Sequence, residues 1–466
     1  METNRRDFLK LSGLTGIGLA GSAVLNNSIA ASSYANDSAP AHFNMCGYAA
    51  PKLNTVRIGF IGLGNRGPGA VNRMTHIDGV DIKGLCDIRP EKVNAVKKTL
   101  EGSIHSPDIY TDKEEAWKKM CDRKDIDLIY IATPWAMHTP MAVYAMKQDK
   151  HVCIEVPAAK TIEECWQLVQ TSERTRKHCI ILENCCYDFF ELLTLNMNRQ
   201  GLLGEIVHGE GAYLHTLLDS NFSKDSYYDM WRLKENFRNG NLYPTHGLGP
   251  VAQAMNINRG DKMDYLVAVS GNDFQMAEKA KELAASDNFY KPFANKNYRG
   301  SMNTTTIRTN KGKTIMLQHD VTSPNVYSRI HKISGTKGSC IKYPGPGRIA
   351  FGHEDWLNEE EFKKMEEKYT APIVKKVGEM AKTVGGHGGM DFLMDWRTID
   401  CLRNGLPVDM DVYDAALWSS IAPLSEWSVA HRSNSIDIPD FTSGDWKTNL
   451  PIDISLEKGG NTKVKG

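Results

Sequence analysis

Residues 56–67 read VRIGFIGLGNRG, a short apolar run that passes directly into a glycine-rich turn. The first six residues predict a buried parallel strand, and the GxGxxG spacing from Gly62 to Gly67 predicts a tight turn that opens a helix. Asp87 follows the next apolar run, 20 residues after Gly67. This complete context is typical of a dinucleotide site, where the helix N-terminus holds the pyrophosphate and the carboxylate accepts ribose hydroxyls.

The predicted cofactor is NAD, because a carboxylate at position 87 would repel the 2′-phosphate of NADP; Arg89 weakens that preference. Ligands of open parallel sheets bind at the carboxyl ends of the strands, so residues that follow strands are candidates too. Trp135 could instead pack in the core, and His138 could cap the following helix. The predicted cofactor-binding residues are Gly62, Gly64, Asn65, Arg66, Gly67, Asp87, Trp135, His138, Glu155, Val156 and Asn184.

Strands and helices alternate over residues 55–184, which predicts a Rossmann-type parallel sheet. A helix is expected from about Ile162 to Arg176, with Thr161 and Glu164 in capping-box spacing. The further strands of this sheet are predicted at 80–86, 128–132, 151–155 and 179–182.

The alternation stops after about residue 184, where several predicted strands have no helix between them. A hairpin turn is expected at Asn310–Lys313. These strands are predicted at 206–215, 265–271, 304–309, 314–319 and 330–334. The predicted fold is therefore α/β, with an N-terminal Rossmann parallel sheet and a C-terminal α+β domain built on an open, mostly antiparallel sheet.

The first 31 residues form a distinct segment. Arg5 and Arg6 precede an apolar, glycine-rich run over 11–25, and small residues follow at 28–30. This order predicts a twin-arginine signal peptide, and hence export to the periplasm. The predicted segments are the signal peptide at 1–31, a linker at 32–54, the NAD-binding Rossmann domain at 55–184, an α+β substrate domain at 185–432, and a C-terminal tail at 433–466 that wraps the surface or returns to the first domain.

Composition narrows the classes of partner. The chain has 466 residues, of which 41% are hydrophobic, with 56 Lys plus Arg against 56 Asp plus Glu. The zero net charge gives no indication of a nucleic-acid partner. The apolar run near the N-terminus is too short for a membrane span, which needs roughly 20 apolar residues. The ten cysteines follow no metal-ligand spacing, so buried free thiols and no metal site are expected.

The order of these motifs resembles the Gfo/Idh/MocA oxidoreductases. In that family the motif at Glu155-x-Pro157 normally contains a lysine that assists proton transfer, and here the middle residue is Val156, which cannot move a proton. A family aspartate one helical turn before the catalytic histidine is also missing, although the histidine is retained as His246. These two departures disfavour simple alcohol dehydrogenation.

Longer motifs are similar to glycoside hydrolase family 109 over nearly the whole mature chain. The resemblance implies an NAD-dependent α-N-acetylgalactosaminidase that acts on a glycan or glycoconjugate by redox, elimination and hydration steps, with NAD restored in each turnover. The motifs are the twin-arginine start, Gly64–Gly67, Glu155–Pro157, Glu183–Tyr187, Tyr243–Gly247 and Gly386–Asp391.

The resemblance, taken with side-chain chemistry, suggests roles for particular residues. His246 and Tyr243 are the predicted catalytic residues, because an imidazole is both an acid and a base near neutral pH. His387 stays outside this set, since an exposed loop histidine fits its glycine-rich surroundings equally well. The predicted substrate-binding residues are Tyr213, Arg232, Tyr243 and Tyr327.

Two other functions are compatible with the sequence. The main alternative is an exported NAD(P)-dependent sugar oxidoreductase, against which Val156 argues. The other is a non-catalytic sugar-binding protein, against which the intact glycines and Asp87 argue. An open antiparallel sheet is also compatible with a homo-oligomer.

Overall fold

The computed structural model describes residues 42–111, 113–353 and 355–465 of the chain. The predicted signal peptide at 1–31 lies outside the described residues. The strands in the described part are β1 Val56–Ile61, β2 Val80–Cys86, β3 Asp108–Tyr110, β4 Leu128–Ile131, β5 His151–Ile154, β6 Cys179–Ile181, β7 Ile206–Leu214, β8 Met263–Ser270, β9 Asn303–Thr309, β10 Thr314–Asp320, β11 Lys332–Gly335, β12 Gly338–Ile341, β13 Arg348–Phe351 and β14 Ile436–Asp437.

Helices connect and cover these strands. The α-helices are α1 Gly67–Thr75, α2 Pro90–Thr99, α3 Ala116–Cys121, α4 His138–Lys147, α5 Ile162–Thr175, α6 Phe189–Arg199, α7 Leu218–Phe222, α8 Trp231–Glu235, α9 Thr245–Ala254, α10 Met276–Ser286, α11 Glu359–Tyr369, α12 Pro372–Val384, α13 Met390–Asn404 and α14 Val412–Ala430.

The first sheet confirms the predicted Rossmann architecture. Its six strands are all parallel and lie in the order β3-β2-β1-β4-β5-β6. The chain adds β2 and β3 on one side of β1, and β4, β5 and β6 on the other. This change of side between β1 and β4 opens a crevice at their carboxyl ends. β1, β4 and β5 are almost fully buried, as expected for a parallel sheet covered on both faces. The short edge strand β3 carries no clear apolar run and was not predicted.

The second sheet confirms the predicted open, mostly antiparallel arrangement. Its eight strands lie in the order β13-β12-β11-β7-β10-β9-β8-β14, and only the pair β7 and β10 is parallel. The predicted hairpin joins β9 to β10, where the Thr309 amide donates to the Lys313 carbonyl over 2.9 Å. The sequence did not predict β12, β13 or β14, which have two to four residues each.

The two helices α13 and α14 lie late in the chain but pack on the Rossmann domain. α14 contacts α5 and β6, and α13 contacts α1 and β1. The segment at 185–432 is therefore split in space, because its last helices cover a face of the first sheet. This arrangement brings the start of α13 to the crevice beside the glycine turn.

Both ends of the described chain are packed against the body of the protein. In the segment predicted as a linker, Met45 is buried, and the backbone of Phe43 accepts a hydrogen bond from the Tyr413 hydroxyl at 3.1 Å. At the other end, the tail pairs with the first domain through an isolated bridge between Ile77 and Val464. No helix in the described residues has the length and apolar character needed to cross a membrane.

The ten cysteines are all free thiols, as predicted. Nine of them are buried, and Cys46 is partly exposed. Burial raises the pKa of the Cys86 and Cys121 thiols to about 12. These side chains therefore behave as small apolar groups in the core.

Candidate active site

The turn after β1 is shaped by glycines. Gly62 has a φ of +92°, and a Cβ there would lie 2.4 Å from the carbonyl oxygen of Ala132. A Cβ at Gly67 would lie 2.0 Å from the Gly62 carbonyl oxygen, so α1 packs directly on the turn. Gly64 lines the cleft, and the nearest atom to a Cβ there would be an Arg89 nitrogen at 3.1 Å. These positions match the three roles of glycine in a dinucleotide turn, so the residues fit a pyrophosphate.

Asp87 is the acidic residue at the carboxyl end of β2. Its carboxylate accepts a hydrogen bond from the Leu63 amide at 2.8 Å, and from the amide and the Nε atom of Arg89, each at 3.0 Å. The carboxylate is thus held beside the turn, where it can accept ribose hydroxyls. The ion pair with Arg89 neutralises part of the charge that disfavours a 2′-phosphate.

Arg66 links the turn to residues from two distant parts of the chain. Its Nε atom donates to Glu155 Oε1 over 3.0 Å, and its Nη1 atom lies 3.2 Å from Asp391 Oδ2. His387 joins this group, since its Nδ1 atom lies 2.9 Å from Asp391 Oδ2 and 3.0 Å from Arg66 Nη1. The glycine-rich loop before α13 therefore places an imidazole on the cleft wall, although the sequence left His387 outside the candidate site.

His246 lies at the first turn of α9, and its partner is a buried carboxylate. The Nδ1 atom of His246 lies 2.8 Å from Oε1 and 3.0 Å from Oε2 of Glu183, which follows β6. Burial alone would raise the pKa of Glu183, but the charge and the hydrogen bond of His246 lower it below its ordinary value. An ionised carboxylate at Nδ1 keeps the proton on that nitrogen and leaves Nε2 as an acceptor.

Glu183 was not predicted as a site residue. The sequence suggested that His246 had lost the acidic partner common in related oxidoreductases. In the structure a carboxylate from another part of the chain, that of Glu183 after β6, contacts the imidazole instead. The signal that could have identified it is its position directly after β6, at the same sheet edge as Glu155.

Aromatic rings surround His246 and form one wall of the cleft. The ring of Tyr243 lies 4.6 Å from that of Tyr213 and 4.8 Å from that of His246, and it stacks on Trp135 at 5.8 Å. The guanidinium of Arg232 lies 5.2 Å from the centre of the Tyr243 ring. Burial raises the pKa of the Tyr213 and Tyr243 hydroxyls, so both stay protonated and can donate hydrogen bonds to a sugar.

Most of the predicted site residues line one cavity of about 560 Å³, a volume suited to small ligands. Asp87 and Arg89 line the same cavity as His246. The predicted residues that line it are Gly62, Gly64, Asn65, Arg66, Asp87, Trp135, His138, Glu155, Val156, Tyr213, Arg232, Tyr243 and His246.

Four predicted residues have contacts that suggest structural roles. Both ring nitrogens of His138 lie within 2.8 Å of backbone carbonyl oxygens, so neither is available to a ligand. Asn184 is buried and donates to Asp391 over 2.5 Å, which positions that carboxylate beside the cleft. Gly67 provides close packing, and Tyr327 lies behind Tyr213 with the two ring centres 6.3 Å apart.

Glu183, His246 and Cys185 also place three potential metal-ligand atoms within 4.8 Å of one another. Burial raises the pKa of the Cys185 thiol well above its usual range, which disfavours the thiolate that a metal requires. The carboxylate and the imidazole already bond each other. We therefore interpret the cluster as a hydrogen-bonded histidine–carboxylate pair beside a neutral thiol.

Comparison with known proteins agrees with this division of the chain. Residues 56–182 match the family model described as the oxidoreductase family with an NAD-binding Rossmann fold. Residues 187–448 match the model for the C-terminal domain of glycosyl hydrolase 109. The first domain is thus an NAD-binding domain, as predicted from the glycine turn and Asp87.

The chain is similar to curated proteins along most of its length. A protein of Bacteroides fragilis named alpha-N-acetylgalactosaminidase is 49% identical over 416 residues, which cover 88% of this chain and 97% of that one. A glycosyl hydrolase family 109 protein of Shewanella pealeana is 44% identical over 462 residues, covering 97% and 99%.

Solved structures with the same fold are more distant in sequence. A levoglucosan dehydrogenase in complex with NADH and levoglucosan superimposes with a TM-score of 0.61 at 17% identity, covering 83% of this chain and all of that one. The aldose-aldose oxidoreductase of Caulobacter crescentus gives 0.58 at 16%, covering 82% of this chain and all of that one. These two show the shared fold alone. The model match and the close relatives together show that the chain belongs to glycosyl hydrolase family 109.

Proposed function

We propose that the protein removes terminal α-linked N-acetylgalactosamine from glycans, with NAD as a resident catalytic cofactor. The proposal rests on one observation above all: the dinucleotide turn and His246, whose Nδ1 atom is held by the buried Glu183, line the same cavity. The name of the relative from Bacteroides fragilis supports the choice of sugar. The family assignment favours this function over a sugar oxidoreductase.

The acidic residues of the cavity support a route other than the usual one. Most glycosidases use two carboxyl groups on either side of the scissile bond, one of which must be protonated. Here Glu155 is paired with Arg66 and Asp87 with Arg89, and the two other acidic residues that line the cavity, Glu114 and Asp225, are exposed. The imidazoles of His246 and His387 also line the cavity, and NAD-dependent glycosidases are a known exception to the two-carboxylate rule.

Bound NAD supplies reversible oxidation of a ring carbon, which acidifies the neighbouring C–H bond of the sugar. His246 accepts a proton from the substrate at Nε2, and Glu183 stabilises the imidazolium that forms. Tyr213 and Tyr243 donate hydrogen bonds to sugar oxygens, and Arg232 offers a planar donor for a carbonyl or hydroxyl. Val156 replaces a proton-transferring lysine with an inert side chain, which leaves proton transfer to the histidines.

We further propose that His387 is the second proton-transfer group. Its imidazole is 54% exposed and lines the cavity. Asp391 accepts from the Nδ1 atom and would stabilise the imidazolium form, whose Nε2–H could then protonate the departing oxygen. Elimination needs a base for the carbon and an acid for the leaving group, and two imidazoles supply both.

Two wider features are also proposals. The paired arginines and the apolar run at the N-terminus favour export by the twin-arginine route to the periplasm, which N-terminal sequencing of the mature protein would test. The open second sheet, in which buried and more exposed residues alternate along β9 and β10, favours a homo-oligomer, which the molar mass in solution would test.

The direct test of function is hydrolysis of an aryl α-N-acetylgalactosaminide without added NAD. We expect purified protein to release the aryl alcohol, to lose this activity when bound NAD is stripped, and to regain it when NAD is restored. The matching α-galactoside, which lacks the acetamido group, is the control for sugar selectivity. Undiminished hydrolysis after complete removal of NAD would refute the proposal.

A further inference from the structure

A second, smaller hydrophobic core lies apart from the main one. The segments 218–237 and 276–298 contribute α7, α8 and α10, and we call them together the satellite unit. Its buried side chains form a cluster distinct from the main core. They are Phe222, Met230, Leu233, Met276, Ala280, Tyr290 and Tyr298. Side-chain contacts such as Trp231 with Trp135 and Glu235 with Lys160 join the unit to the rest of the protein.

The satellite unit reaches across the cavity to the glycine turn. The Asn65 side chain, in the turn, donates to the Ser226 carbonyl oxygen over 2.7 Å. The guanidinium of Arg89, which also bonds Asp87, lies 5.2 Å from the centre of the Tyr228 ring. These two contacts join the proposed pyrophosphate and ribose positions to the second domain.

Contacts on both sides of Tyr228 hold the backbone of this segment. On one side, the Ser223 hydroxyl accepts from the amides of Asp225 and Ser226. On the other, Met230 is buried in the satellite core, with Asp229 and Met230 in the left-handed region at φ 50° and 53°. Left-handed backbone is unfavourable for side chains such as Met230, so the surrounding contacts must hold this turn in place.

We infer that residues 225–228 are a latch that closes over bound NAD and keeps it in place through many turnovers. The inference rests on the proposed function, because a cofactor restored in each cycle has no need to leave. On the Rossmann domain, Asn65 and Arg89 hold the closed latch in place. On the latch itself, Ser226 and Tyr228 make the matching contacts. Opening breaks the Asn65–Ser226 hydrogen bond and the Arg89–Tyr228 contact, and it shifts Tyr227 against Trp231 and Arg232. Each of these contacts is individually weak, so the latch can still admit the cofactor during assembly.

The test is the rate at which the holoenzyme exchanges bound NAD for isotopically labelled NAD, followed by mass spectrometry. Tyr228→Ala removes the ring over Arg89, and we expect exchange to become about tenfold faster. Tyr228→Phe keeps the ring and should exchange at the wild-type rate. Phe289→Ala is the matched control, because Phe289 has similar exposure (45% against 47%) and does not line the cavity.

The possible results of the exchange experiment distinguish failure of the latch from failure of the proposed function. Wild-type protein that holds no NAD would refute the proposed function itself. Protein that holds NAD but exchanges it equally fast in Tyr228→Ala and wild type would refute the latch alone. Circular dichroism and thermal unfolding show whether each variant is folded.

Hydrogen–deuterium exchange gives a second measurement that needs no variant. We expect peptides covering 223–231 to gain protection when NAD is added to stripped protein, whereas peptides from strand β12 of the second sheet stay unchanged. Equal exchange at 223–231 with and without NAD would contradict a latch.

Discussion

The Nδ1 atom of His246 lies 2.8 Å from the Oε1 atom of Glu183, which is wholly buried at the end of β6. The two residues are 63 positions apart and belong to different domains of the chain. Their contact ties the NAD-binding sheet to the helix that carries the proposed base. The orientation and protonation of the imidazole therefore depend on this carboxylate.

Replacing either partner should stop turnover without releasing NAD. For His246→Ala we expect a loss of about 10²–10⁴ in kcat, the usual range for a general base, with NAD still bound. Glu183→Gln should also lower kcat, because a carboxamide can place the imidazole proton on the wrong nitrogen. Steady-state assays with absorbance quantification of bound NAD check both variants.

The control for this pair is His208→Ala, since His208 bonds Thr314 on the second sheet, far along β7 from the cavity. It should keep wild-type turnover. Full activity in His246→Ala would remove that residue from the mechanism.

The stability contributed by Asp391 should depend on pH in a defined direction. Burial alone would raise its pKa, but His387, Arg66 and Arg73 hold it well below its usual range. A carboxyl group with a lowered folded pKa stabilises the protein above its unfolded pKa, about 3.9, and loses that contribution as pH falls toward the folded value.

We therefore expect Asp391→Asn to lower the free energy of unfolding by about 3–5 kcal/mol at pH 7, since two arginines lose a buried partner. The gap to wild type should be about 1 kcal/mol smaller at pH 3. Urea unfolding at pH 7, 5 and 3 measures it. If the difference in unfolding free energy between wild type and Asp391→Asn grew as the pH fell, the predicted direction of the pH dependence would be wrong.

Gly62→Ala should abolish NAD binding. Its φ of +92° strains any side chain, and a Cβ there would meet the Ala132 carbonyl oxygen at 2.4 Å. Gly102→Ala is the matched control, because Gly102 has a φ of +80° but no atom within 4 Å of a Cβ. Gly102→Ala should lose about 1 kcal/mol of stability from backbone strain, and Gly62→Ala should lose more because of its clash. Only Gly62→Ala should fail to bind NAD in calorimetric titration.

The thiols should be nearly inert in the folded protein. Nine cysteines are buried, and burial together with the Asp411 charge raises the pKa of the partly exposed Cys46. We expect an aromatic disulfide reagent to modify one thiol slowly under native conditions, and ten in denaturant. Fast modification of several thiols in native protein would contradict the buried placement.

Local features were predictable from the sequence, and contacts between distant residues were not. The bounds of β1 were predicted residue for residue. The apolar run, the glycine spacing and the acidic residue that indicated this site all lie within 32 positions of the sequence, from Val56 to Asp87. The Arg66–His387 contact joins residues 321 positions apart. No local pattern records such a pairing, so His387 could not be separated from an exposed loop histidine.

Helix α14 shows a second limit. Val412–Ala430 is apolar around most of its circumference, with buried residues on every face, so it carries no stripe that indicates a partner. Its packing on α5 and β6 follows from the tertiary fold alone. The segment boundary at 432 could not anticipate that this helix covers the Rossmann sheet.

The central claim is that bound NAD makes a sugar C–H bond acidic so that the glycosidic bond is lost by elimination. The most direct measurement is hydrolysis of an aryl α-N-acetylgalactosaminide in deuterated water, followed by mass and NMR analysis of the released sugar. The account predicts deuterium at C2 of the product, since the proton that leaves C2 is replaced from solvent. Complete hydrolysis with hydrogen retained at C2 would contradict it.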